Sequence, residues 1–96
     1  MRVHWTGTAK EHLTAIRDYI ARDSPLYARH MVDRLTHRSR QIAENPLSGR
    51  RVPEYELDQI REVIEKSYRI IYHIRADRID VLAVIHSAME VLPRDR

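Results

Sequence analysis

The spacing of hydrophobic and polar residues shifts along the chain between the period of a strand and that of a helix. Val3 and Trp5 alternate with Arg2, His4 and Thr6, the two-residue period of a short half-buried strand, and Gly7-Thr8 breaks the run and offers a helix cap. From Ala9 the apolar positions are Ala9, Leu13, Ile16 and Ile20, which line one helical face with Lys10, Glu11, Arg17 and Asp18 outside it. In the next stretch, Asp23-Ser24-Pro25, Ser24 can cap a second helix and Pro25 can take its first position, where the missing N–H would have had no partner anyway. The second stripe is Ala28, Met31 or Val32, Leu35 and Ile42, and it stops at Asn45-Pro46 because the residue before a proline is pushed out of the helical region.

After residue 59 the period returns to two. "IREVIEK", "YRIIYHIR" and "RIDVLAVIH" are β-branched and aromatic runs separated only by Lys66-Ser67 and Ala76-Asp77-Arg78, breaks that permit hairpins and not crossovers. The pattern predicts β-α-α-β-β-β, an α+β fold in which a helical hairpin packs on one face of a small, mainly antiparallel sheet. "VLAVI" is apolar on both faces and marks a central strand. "YRIIYHIR" sets Tyr68, Ile70, Tyr72 and Ile74 against Arg69, Ile71, His73 and Arg75. Ile16, Ile20, Leu35, Ile70, Tyr72, Leu82 and Val84 are the expected common core between hairpin and sheet.

Length and composition narrow this further. Ninety-six residues make one domain, 1–96, because a chain this short buries only about 60–65% of its unfolded surface. Without cysteine there is neither a disulfide nor a thiolate metal site. No apolar leader or run of about 18 apolar residues is present, so a soluble, cytoplasmic protein is expected, without membrane contact. The net charge is +3, and 15 of the 17 cationic residues are arginine, whose planar fork suits phosphate or an acidic partner; alternatively these arginines form ordinary surface ion pairs. The six histidines include His30 and His37, seven apart on helix two, but no carboxylate joins them at ligand spacing, so no metal or cofactor is expected.

The stretch that carries candidate chemistry is "NPLSGRRVPE", Asn45 to Glu54. Together with the strands after it, it supplies Arg50, Arg51, Glu54, Arg61, Arg69 and His86, and the four arginines are expected to converge on a concave, open sheet face away from the helices. Two readings of the cluster stand side by side. Arginines could hold an anionic partner or stabilise phosphate charge while Glu54 or His86 moves a proton. Alternatively, Arg61 and Arg69 could pair with Glu54, Glu56 or Glu62, with His86 closing a hydrogen bond at a strand end.

"VHWTGTAKEHLTAIRDYIARDSP", "NPLSGRRVPE", "IREVIEKSYRIIYHI" and "IDVLAVIH" together resemble the RelE/ParE superfamily of type II toxin–antitoxin toxins, once described as plasmid-stabilisation proteins. The resemblance implies a bacterial toxin of the fold deduced above, neutralised by a cognate antitoxin in a toxin–antitoxin hetero-oligomer. It also implies one of two targets. ParE-like members poison DNA gyrase by binding it. RelE-like members act on the ribosome as metal-free mRNA endoribonucleases, with Arg69 matching their phosphate-stabilising arginine and Glu54, Arg61 and His86 as further catalytic candidates. Such nucleases usually carry an arginine and a tyrosine after the last strand; here Ser87 stands near the first and no tyrosine follows Tyr72. The expectation is therefore a ParE-like gyrase inhibitor that contacts target or antitoxin through Arg50, Arg51, Arg61 and Arg69. A ribosome-dependent nuclease or a non-toxic binding module is the alternative.

Overall fold

A computed structural model describes residues 1–88, so the expected domain's last residues, from Met89 on, lie outside the described part. The element order is β1 (Arg2–Trp5), α1 (Gly7–Ala21), α2 (Pro25–Glu44), a 3-10 turn (Pro46–Ser48), β2 (Arg50–Arg51), β3 (Ile60–Glu65), β4 (Tyr68–Ile74) and β5 (Arg78–His86). The strands form one sheet in the order β1-β5-β4-β3-β2, with β1 parallel to β5 and every other pair antiparallel. The α+β architecture is the one the periodicity predicts, with the two-residue β2 as an addition.

Local chemistry explains the boundaries. Thr6, rather than Gly7-Thr8, caps α1: its hydroxyl accepts from the Ala9 N–H and donates to the Val81 carbonyl at 2.8 Å, so one side chain starts the helix and ties it to β5. Ser24 caps α2 by accepting from the Tyr27 N–H, with Pro25 at the first helical position as expected. Both helices cover one sheet face. Ala9, Met31, Leu35 and Ile42 pack there with Val63, Ile70, Tyr72, Ile79, Val81 and Val84, and Val3, Trp5, Leu13, Ile16 and Ile20 border the cluster. Leu35 is wholly buried, a contribution of about 1.5–3 kcal/mol. Trp5 is a core-flanking residue whose indole N–H donates to the Ser39 hydroxyl.

Two expectations about the sheet need correction. Leu82 is not in the core under the helices: it joins Val52, Ile60, Ile71 and Ala83 on the opposite face. The cause is a β-bulge. Ile71 pairs with Ala83 and Tyr72 with Val81, so Leu82 is the extra residue, and Leu82 and Ala83 point to the same side before alternation resumes with Val84 inward. The irregular backbone is satisfied from α1, since Thr6 reaches the Val81 carbonyl and the Val84 N–H donates to His12 Nδ1 at 3.2 Å. The face away from the helices is also not open. The segment between β2 and β3 folds across it, burying Val52 completely and packing Tyr55 against the same cluster.

Candidate functional site

Adjacent residues in a strand point to opposite faces, and this rule decides the fate of the arginine pair. Arg50 pairs with Glu62 and so shares the face of Ile71 and Arg69, away from the helices; Arg51 pairs with Arg61 on the helix side. The expected convergence of four guanidinium groups on one face therefore does not form: Arg50 and Arg69 lie on one side of the sheet, Arg51 and Arg61 on the other.

Each of the four has a partner. Arg61 Nε donates to the Asp58 carbonyl and its Nη1 to the Gly49 carbonyl, both at 2.9 Å, so it ties the backbone just before β2 to the end of the segment that joins β2 to β3. Arg51 makes an exposed pair with Asp58. Arg50 Nε donates to Glu62 Oε2 at 2.6 Å, and Arg69 Nε donates to the other oxygen, Oε1, at 2.5 Å. Arg69 then reaches Glu54 with both terminal nitrogens, at 3.1 and 3.3 Å. Glu62 and Arg69 are only 1% and 6% exposed, so this network of two guanidiniums and two carboxylates has a buried ion pair at its centre and the exposed Arg50 at its rim. Burial works to lower the Arg69 pKa, but the hydrogen bonds it donates to Glu54 and Glu62, with the charges of the two carboxylates, outweigh this and raise it, which keeps the guanidinium charged.

Below this network the loop is fixed by Tyr72. Its hydroxyl donates to the Pro46 carbonyl at 2.6 Å and accepts from the Gly49 N–H at 3.1 Å. Burial pushes the phenol pKa up, opposed by the Gly49 hydrogen bond. A Cβ on Gly49 would collide with that hydroxyl and stand 2.6 Å from the Glu62 carbonyl oxygen, which is why the chain has glycine there. The loop's role is structural before it is anything else.

His86 is separated from the others. Its partner across the sheet is Tyr68, on the helix-side face, and the two rings meet edge-on with centroids 6.0 Å apart. Its Nδ1 accepts from the Ala88 N–H at 3.2 Å, the strand-end hydrogen bond of the structural reading. Glu54 and Arg69 are thus brought together, whereas His86 and Arg61 lie across the sheet from them.

Sequence reasoning passed over a second ionic cluster on the face away from the helices. Asp80, 4% exposed, accepts from Arg75 Nε at 3.0 Å and Arg78 Nε at 2.8 Å, with His4 Nδ1 at 3.2 Å. The hydrogen bond from Arg78 leads the causes that hold its carboxyl at a pKa of about 2, against the opposing effect of burial. His73 faces the same carboxylate across the strand pair, and burial followed by the Arg75 charge lowers its pKa. The alternation Arg78-Ile79-Asp80 was the available signal. Among the described residues no group of three or more potential ligands could hold a metal ion, and no helix is long and apolar enough to cross a membrane.

Comparison with known proteins agrees with this architecture. Residues 3–91 match the family model of the ParE toxin of the type II toxin–antitoxin system parDE. The chain is 36% identical over 88 residues to Toxin RelE2 of Caulobacter vibrioides, covering 91% of this chain and 96% of that one. The solved chromosomal ParDE system from P. aeruginosa contains a chain with the same fold, at a TM-score of 0.74 and 21% identity, covering 90% of this chain and 95% of that one. With a family model spanning nearly all of its length and a curated toxin as relative, the chain belongs to the ParE toxin family of the RelE/ParE superfamily, a type II toxin with a cognate antitoxin as its partner.

Proposed function

We propose that this toxin acts by binding DNA gyrase and not by cutting RNA. The observation that supports this reading is the state of Arg69. A nuclease of the RelE type would need that guanidinium available to a phosphate, yet here it is buried between Glu62 and Glu54. Glu54, one candidate for proton transfer, is itself held by Arg69, and His86, the other, is on the other side of the sheet. General acid–base chemistry needs its groups within hydrogen-bond reach of one reacting centre, and these are not so placed. Binding needs only surface, and Arg50 and Arg51 remain 67% and 53% exposed for an anionic or acidic contact.

The relative named RelE2 is the observation on the side of a second reading, a ribosome-dependent mRNA endoribonuclease. Inducing the chain alone in bacteria separates the two. Filamentation and induction of the DNA-damage response before any transcript is cut is the expected result. Cleaved transcripts as the first lesion would replace the gyrase reading with the second, and unimpaired growth would leave a non-toxic binding module.

A further inference from the structure

The Asp80 cluster differs from the Glu62 network in what its guanidiniums leave over. Arg75 and Arg78 each contact Asp80 through Nε alone, one on each carboxylate oxygen, and two guanidiniums bound to one carboxylate are necessarily neighbours. Their terminal nitrogens make no hydrogen bond among the described residues. Both side chains remain partly exposed, at 48% and 37%. Arg2 stands beside them across the β1–β5 register, tied only loosely to Asp77 at 3.9 Å, and His4 completes the rim. A surface recess of about 350 Å³ lined by Arg2, Val3, His4 and Arg78 opens at this corner. Three guanidiniums face two aspartates there.

We propose that this corner is a phosphate site for a nucleic-acid backbone, in which Asp80 is a positioning residue that holds the Arg75 and Arg78 forks outward while their terminal N–H groups, with Arg2, take phosphodiester oxygens. A fork anchored at Nε has lost much of its side-chain freedom, so less entropy is lost when an anion binds. A phosphate offers more acceptor lone pairs than a carboxylate and can bridge two forks at once. Three of the four residues that line the recess carry a guanidinium or an imidazole, groups that an anion satisfies better than an apolar side chain does. The inference requires no cleavage chemistry and stands whichever target the toxin has.

The experiment titrates the purified chain with a labelled 20-base-pair DNA duplex and, in a second arm, a single-stranded RNA 20-mer, between 50 and 200 mM salt. The wild type should bind at least one of them with a salt-dependent constant. Arg75→Gln with Arg78→Gln, which retains amide donors for Asp80, should make the log–log slope shallower by about 2 and weaken binding at low salt by roughly tenfold or more. Asp80→Asn distinguishes positioning from bulk charge. It adds a net positive charge, so a purely electrostatic surface would bind more tightly, whereas a site that depends on held forks should bind roughly threefold to tenfold more weakly while Arg75 and Arg78 are both intact. Should Asp80→Asn not fold, the double glutamine variant decides alone. An unchanged slope and affinity in that variant on both arms overturns the proposal. So does a twelve-residue polyglutamate peptide that loses affinity in the variant when neither nucleic acid does, since the corner then takes an acidic chain.

Discussion

Two carboxylate-centred clusters occupy the same face of the sheet and have opposite characters. Around Glu62, two guanidiniums meet two carboxylates: Arg50 and Arg69 divide the oxygens of Glu62, and Glu54 takes the rest of Arg69. Around Asp80, a single buried carboxylate serves Arg75, Arg78 and His4. The first is balanced and joins β2, the crossing segment, β3 and β4 into one unit. The second carries surplus cation at the rim. Arginine content alone therefore says little about where a basic chain presents charge; what matters is how many carboxylates the register places opposite each guanidinium.

Breaking the balanced cluster should have the largest effect. Glu62→Ala removes the carboxylate shared by two guanidiniums and leaves the buried Arg69 half-compensated, a loss of about 3–5 kcal/mol in a urea titration. A loss below about 1 kcal/mol would show that the network is solvated and that its balance has no bearing on stability.

Gly49→Ala tests the same region through shape instead of charge. The added methyl would meet the Tyr72 hydroxyl and the backbone of Glu62, and a strand backbone cannot move aside cheaply, so about 2–3 kcal/mol should be lost. An alanine variant with an unchanged denaturation midpoint would mean that the loop is free to shift and that Tyr72 does not fix it.

The Asp80 cluster should reveal itself through pH. Its folded pKa of about 2 is below the ordinary unfolded value of about 3.9, so the stabilisation is fully present above the unfolded value and is lost as pH falls towards 2. After allowance for screening at the partly exposed arginines, the contribution is about 1–2 kcal/mol. Asp80→Asn should flatten the stability curve between pH 4 and 2; a variant whose curve runs parallel to the wild type there contradicts the assignment.

Arg51→Ala provides the small end of the scale. Its pair with Asp58 is exposed on both sides, and the change should stay within about 0.5 kcal/mol. A substantial loss would make Arg51 part of the folded framework and remove it as a surface contact for a partner.

How much of this was visible in the sequence varies from one element to another for physical reasons. The helices and strands β3 to β5 were legible because one-sided burial imposes a period, and Ser24-Pro25 and Asn45-Pro46 mark ends by backbone chemistry. The slip at Leu82 was not, because every residue of Val81 to Ile85 is apolar and no polar residue records the change of phase. The Thr6 and His12 side chains that satisfy the bulge sit some seventy positions away in sequence. The candidate site was half legible. Arg69 pairs with two of the glutamates weighed as partners, and His86 does close a strand end. That Arg50 and Arg51 fall on opposite faces was open only to a reader who knew that β2 is a strand, and two residues are too few for a period to appear.

The central claim is that this toxin works by binding, with Arg69 and Glu54 engaged to each other and His86 on the far face. The most direct test is to assay the purified wild type and His86→Gln for inhibition of gyrase supercoiling and for transcript cleavage in the A site of purified ribosomes. The account predicts that both proteins inhibit supercoiling to within about twofold of each other and that neither cuts, since no proton transfer is involved. Ribosome-dependent cleavage by the wild type that drops at least about a hundredfold in His86→Gln, with supercoiling untouched by either protein, would contradict it.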